Sequence, residues 1–81
     1  MRAEDLLNHI HATPFVPFRI TMTSGRTFDI RHPEMIRVTR TGFHVYSVRP
    51  GDPPDAPADR VEMVSLLLIE RVQSLETSSA A

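Results

Sequence analysis

The chain has 81 residues, 41% hydrophobic and 23% charged, with a formal net charge of −1. That balance excludes a disordered segment, which carries fewer apolar groups and more net charge, and it excludes a global electrostatic attraction to nucleic acid or anionic lipid. Cysteine is absent, which rules out a disulfide framework and a thiolate metal site.

One core is all that such a length can build, over residues 1–76. A domain this small buries only about 60% of the surface its unfolded chain exposes, so packing is marginal and self-association is a common remedy. All nine basic residues are arginine, a bias for which genome composition is the plainer account, although arginine is the better fork for phosphate. No apolar run is long enough to span a bilayer and no secretory signal pattern is present, so the expected location is the cytoplasm and no membrane partner is expected.

In chain order, Ala3, Leu6, Leu7 and Ile10 recur at helical spacing, with Glu4 and Asp5 in the first turn where the helix dipole favours them. A helix over 3–12 follows, ended by Thr13 before Pro14. The stretch "PFVPF" then leads into strands over 17–23 and 26–32, with Phe15 and Phe18 anchoring the turn. A three-residue loop of Thr23, Ser24 and Gly25, with Gly25 left-handed, sets Ile20 against Phe28 and Phe18 against Ile30. On the other face the same register sets Arg19 against Asp29 and Thr21 against Thr27. Other loop placements put Ile20 opposite Asp29 or Arg19 opposite Arg31, which costs stability.

Pro33 removes a ladder donor and marks a bend or an edge. Strands over 35–40 and 43–49 then form a second hairpin around Thr41 and Gly42. A two-residue loop there pairs Val38 with Val45, Arg37 with Tyr46 and Met35 with Val48. Both faces of this hairpin carry apolar groups, so both call for a cover: the N-terminal helix on one side, and another copy of the chain as the less obvious choice. Residues 50–59, "PGDPPDAPAD", form a proline-rich loop, and residues 77–81 are expected to be a disordered tail.

Residues 60–76, "RVEMVSLLLIERVQSLE", are ambiguous. Val64, Leu67, Leu68, Arg71, Val72 and Leu75 fit a helical stripe, while Val61-Glu62-Met63 begins as alternation. The residues alone leave open a C-terminal helix or a strand over 60–65, a 3₁₀ break at Leu66 to Leu68 and a strand over 69–75. The first reading gives an antiparallel meander with N- and C-terminal helices.

Three stretches, "PFVPFRI", "SGRTFDIRHPE" and "VSLLLIERV", together resemble a family of short bacterial proteins of uncharacterised function, over roughly residues 10–75. The matching positions are Pro14, Phe15, Pro17, Phe18, Gly25, His32, Pro33, Glu34 and the Leu66 to Ile69 run. The resemblance implies strand, turn and strand for residues 60–76. It therefore implies a mainly β (or α+β) fold, a small SH3-like or Sm-like antiparallel barrel with one N-terminal helix, and no activity comes with it.

No constellation of catalytic type stands out. His9 and His11 diverge on a helix, and His32, Glu34 and His44, the residue types of a two-histidine, one-carboxylate metal site, lack supporting spacing. Ser24, Ser47, Ser65 and Ser74 have no identifiable base in a nucleophile turn. No catalytic residue, cofactor, metal or small-molecule substrate is therefore expected, and an enzyme is not the leading reading.

The patch that carries a hypothesis combines Arg37, His44, Tyr46 and Arg49 on one face of the second hairpin. Arginine beside tyrosine suits stacking on a base, while the plainer reading has Arg37 simply covering Tyr46. The expectation is a non-catalytic interaction module that binds itself, as a homo-oligomer, or another protein. The alternative is an Sm-like ring-forming RNA-binding protein.

Overall fold

The computed structural model describes residues 1–53 and 55–75. Helix α1 (Ala3–Ile10) opens the chain, followed by β1 (Phe18–Met22), β2 (Thr27–Ile30), β3 (Ile36–Val38), β4 (Gly42–Ser47), β5 (Arg60–Ser65) and β6 (Ile69–Ser74). One-turn 3₁₀ segments at Pro33–Met35 and Leu66–Leu68 link β2 to β3 and β5 to β6. The protein is mainly β, with two antiparallel three-stranded sheets ordered β2-β1-β6 and β3-β4-β5. The C-terminal helix of the alternative reading does not form, because β6 pairs along β1, with Ile20 opposite Val72 and Phe18 opposite Ser74. The expected disordered tail at 77–81 lies outside the described residues.

The α1 stripe works as its spacing implies: Leu6 is buried, and Ala3 and Ile10 pack against the core. The helix closes at Ile10, two residues short of the expected 12, where the His11 N–H donates to the Leu7 carbonyl at 2.9 Å. Phe15 and Phe18 do meet, with ring centroids 6.0 Å apart.

The first hairpin adopts the expected register, Phe18 with Ile30, Arg19 with Asp29, Ile20 with Phe28 and Thr21 with Thr27. Its turn is fastened by the Met22 N–H to the Arg26 carbonyl at 2.8 Å and the Gly25 N–H to the Met22 carbonyl at 2.9 Å. Gly25 has φ of 92°, a backbone region open to glycine but costly for other residues.

The second hairpin departs from expectation. Its register is Ile36 with Val45, Arg37 with His44 and Val38 with Phe43, so the expected partners Val38–Val45, Arg37–Tyr46 and Met35–Val48 do not form. The turn sits one residue earlier, between Thr39 and Gly42, where the Thr39 N–H donates to the Gly42 carbonyl at 2.9 Å and the Gly42 N–H donates to Thr39 Oγ1 at 3.0 Å. The reason is that Gly42 belongs to the strand: it pairs with Ser65 of β5, and a Cβ there would run into the Val64 backbone carbonyl. Met35 lies in the 3₁₀ turn, packed against the core.

The core joins the two sheets. Phe18, Ile20, Met22, Phe28 and Ile30 from one sheet meet Ile36, Phe43 and Val45 from the other, with Leu6 and Leu66 closing the ends. Phe28 and Phe43 meet edge to face at 6.0 Å, an arrangement favoured by the ring quadrupoles. Backbone bonds stitch the corners: the Thr23 N–H donates to the Leu68 carbonyl at 2.8 Å and the Leu66 N–H to the Thr41 carbonyl at 2.9 Å. Among the described residues no helix is long and apolar enough to cross a membrane.

Candidate interaction surface

Strand alternation sorts the β3-β4-β5 sheet into two faces. Ile36, Val38, Phe43, Val45 and Val64 pack inward. The outward set comprises Arg37 opposite His44, His44 opposite Met63, and Tyr46 opposite Val61. Among the described residues no element lies over this outer face. Of the two covers expected for this hairpin, α1 packs on the core side beside β3 and leaves Met63 77% exposed.

Three of the four expected patch residues share this face. Arg37 is exposed, while His44 and Tyr46 are half-buried, with their rings 6.5 Å apart and nearly edge to face. Arg37 lies across from His44 rather than Tyr46, so the expected Arg37–Tyr46 pairing is absent. Arg49 does not join them. It falls beyond the end of β4, and its guanidinium approaches Asp59 at 3.5 Å.

The apolar members of the surface were not singled out from sequence. Exposed large hydrophobic residues concentrate in one stretch: Val61 at 49%, Met63 at 77%, Leu67 at 85% and Leu68 at 51%. A single 3₁₀ turn can direct only part of the Leu66 to Leu68 run inward, and it buries Leu66. The signal for the rest was available in the alternation of residues 61–64: once Val64 faces the core, Val61 and Met63 must face out.

An open groove of about 650 Å³ borders this stretch, lined by Met63 and Leu67 together with Met1, Arg2 and the Thr39–Gly42 turn. A smaller cleft of about 250 Å³ runs between β5 and the β1–β2 turn. It is bridged by Arg26, whose Nη2 lies 2.5 Å from Glu62 Oε2 and whose guanidinium carbon stands 4.8 Å from the Phe28 ring centroid.

Elsewhere the polar groups serve the fold. Arg19 donates to both oxygens of Asp29, at 2.7 and 3.1 Å, and Arg31 approaches the same carboxylate at 3.6 Å. The Arg19 hydrogen bonds hold the Asp29 carboxyl below the usual carboxylate range against the opposing effect of partial burial, and the charges of Arg19 and Arg31 act in the same lowering direction. Ser65 Oγ accepts from the Leu67 N–H at 3.2 Å and caps the 3₁₀ turn, and Ser24 Oγ accepts from the Arg26 N–H at 3.4 Å. His9 rests against Phe18 at 5.2 Å between centroids. Among the described residues, His32, Glu34 and His44 do not gather into a metal-ligand set, nor do any other three His, Cys, Asp or Glu side chains.

Compared with protein-family models, with curated proteins and with solved structures, the chain matches none.

Proposed function

We propose that this protein is a non-catalytic interaction module of the cytoplasm, an SH3-like or Sm-like small barrel that associates with itself or with another protein. The observation that carries the reading is the concentration of exposed apolar side chains at Val61, Met63, Leu67 and Leu68, on an edge strand and the turn that follows it. Contiguous exposed apolar surface on a small domain marks a binding site. The resemblance to short bacterial proteins, with its strand-turn-strand C-terminal segment, supports the barrel reading.

A second reading, RNA binding by an Sm-like ring, draws support from Arg37, His44 and Tyr46 sharing one face. It is the weaker reading, because Arg49 turns to Asp59 and so leaves the patch with Arg37 as its arginine. Light scattering with and without single-stranded RNA separates the two. The first reading expects no RNA-dependent gain in mass. A gain that falls steeply with salt, and is lost in Arg37→Ala, would overturn it in favour of the second.

A further inference from the structure

Among the described residues four strands lie at sheet edges: β2 and β6 in one sheet, β3 and β5 in the other. Edge strands offer unpaired backbone groups to other chains, and proteins blunt them with short length, charge, proline or bulges. Three of the four are blunted. Strand β2 carries Asp29 between Arg19 and Arg31. Strand β3 has three residues, Arg37 at its centre and Pro33 just before it. Strand β6 has a register break against β1 beside Glu70, and its Glu70, Arg71 and Gln73 are exposed.

Strand β5 is the exception. Among the described residues its ladder runs only to β4, and its outward side chains are the apolar Val61 and Met63. Its one acidic side chain, Glu62, is already neutralised by Arg26 from the other sheet. The edge is thus unguarded on the face where guarding would be needed.

Resting on the interaction-module reading, we infer that the occupant of this edge is β5 of a second copy, added antiparallel across a two-fold axis to join two three-stranded sheets into one of six strands. Two-fold pairing that keeps each outer face outward requires residues of like parity to oppose one another. Registers centred on Glu62 and on Met63 each pair five of the six β5 residues, and the Glu62-centred one matches the two outward apolar side chains to each other. It sets Val61 opposite Met63 of the partner subunit and Met63 opposite Val61 of the partner subunit, so the exposed apolar side chains cover each other in both halves. Because Tyr46 flanks Val61 and His44 flanks Met63, each row then runs unbroken through tyrosine, valine, methionine and histidine.

On the inner face this register brings the two Glu62 side chains together. Each keeps its own Arg26, and each gains Arg60 of the partner subunit as a diagonal neighbour within reach of a long side chain. Arginines therefore outnumber carboxylates around the axis, which offsets the like-charge pair.

The test uses the full chain, whose lack of native cysteine makes introduced thiols unambiguous. Light scattering is expected to give twice the 9.2 kDa chain mass. Met63→Lys, at an exposed position, should keep the wild-type circular dichroism and raise the dissociation constant by roughly tenfold or more. Mixed Val61→Cys and Met63→Cys chains should form a disulfide between unlike chains under mild oxidation, with little linkage of either variant to itself. Wild-type mass equal to one chain, or self-linkage of Val61→Cys in preference to the unlike pair, overturns the inference. A single-chain mass leaves the interaction-module reading standing, since another protein can occupy the same edge.

Discussion

Arg26, at the entry to β2, reaches Glu62 of β5 across the cleft between the two sheets, with 2.5 Å between Nη2 and Oε2. The same guanidinium stands over Phe28, so one side chain ties the seam of the fold both electrostatically and through a ring face.

Removing the two partners should therefore have unequal effects. Glu62→Gln loses a partly exposed ion pair and should cost about 0.2–1 kcal/mol. Arg26→Ala also loses the ring contact, an extra ~0.5–1 kcal/mol. Urea denaturation of both variants checks this, and equal losses would remove the ring contact from the account.

Gly25 and Gly42 should answer differently to a methyl group. At Gly25 there is open space but φ is 92°, so Gly25→Ala should cost about 1–2 kcal/mol in backbone strain. At Gly42 a Cβ meets the backbone carbonyl of Val64, which cannot swing aside as a side chain can. Gly42→Ala should cost at the upper end of the ~1–3 kcal/mol typical of overpacking, or more. Chemical denaturation giving the reverse order would contradict the placement of Gly42 within β4.

Asp29 should link stability to pH. Its carboxyl is held below its ordinary range in the folded state, so the folded state binds the proton less readily than the unfolded chain. The stabilisation is full above the unfolded carboxylate pKa and disappears as pH falls through the folded one. Wild type and Asp29→Asn should therefore differ in melting temperature at neutral pH and converge in acid. Parallel curves down to the acid limit would deny the link.

Neighbouring leucines should separate by burial. Leu66 is 3% exposed and Leu67 85%. Leu66→Ala should cost about 2–5 kcal/mol, whereas Leu67→Ser should leave the stability of the isolated chain within ~0.5 kcal/mol. Thermal melts at low protein concentration make the comparison.

How far the fold was legible depended on whether the deciding contact was local. In the first hairpin the turn glycine, the Ile20–Phe28 and Phe18–Ile30 pairs and the Arg19–Asp29 charges all demand one register, and all lie within a few residues of the turn. In the second hairpin Gly42 reads as a turn glycine, yet the carbonyl that requires it there belongs to Val64, on a strand distant in sequence. The resulting slip of two residues preserves parity, so Arg37, His44 and Tyr46 were correctly grouped on one face although their partners were not. Arg49 was lost to the group because β4 ends at Ser47 and Asp59 draws its side chain away. Residues 60–75 satisfy helical and extended patterns alike, and pairing of β6 with β1 makes the choice. The exposed apolar stretch followed from that choice and was hidden until it was made.

Site-specific photo-crosslinking tests most directly whether the β5 edge and its following turn are where the protein does its work. A benzophenone side chain placed at Met63 or Leu67, and at the exposed Arg31 just past the end of β2 as a control, is irradiated in cells that naturally make the protein. The account expects discrete protein adducts, with the chain itself or with another protein, from positions 63 and 67 and none from 31. Adducts from position 31 alone, or from none of the three, would contradict it.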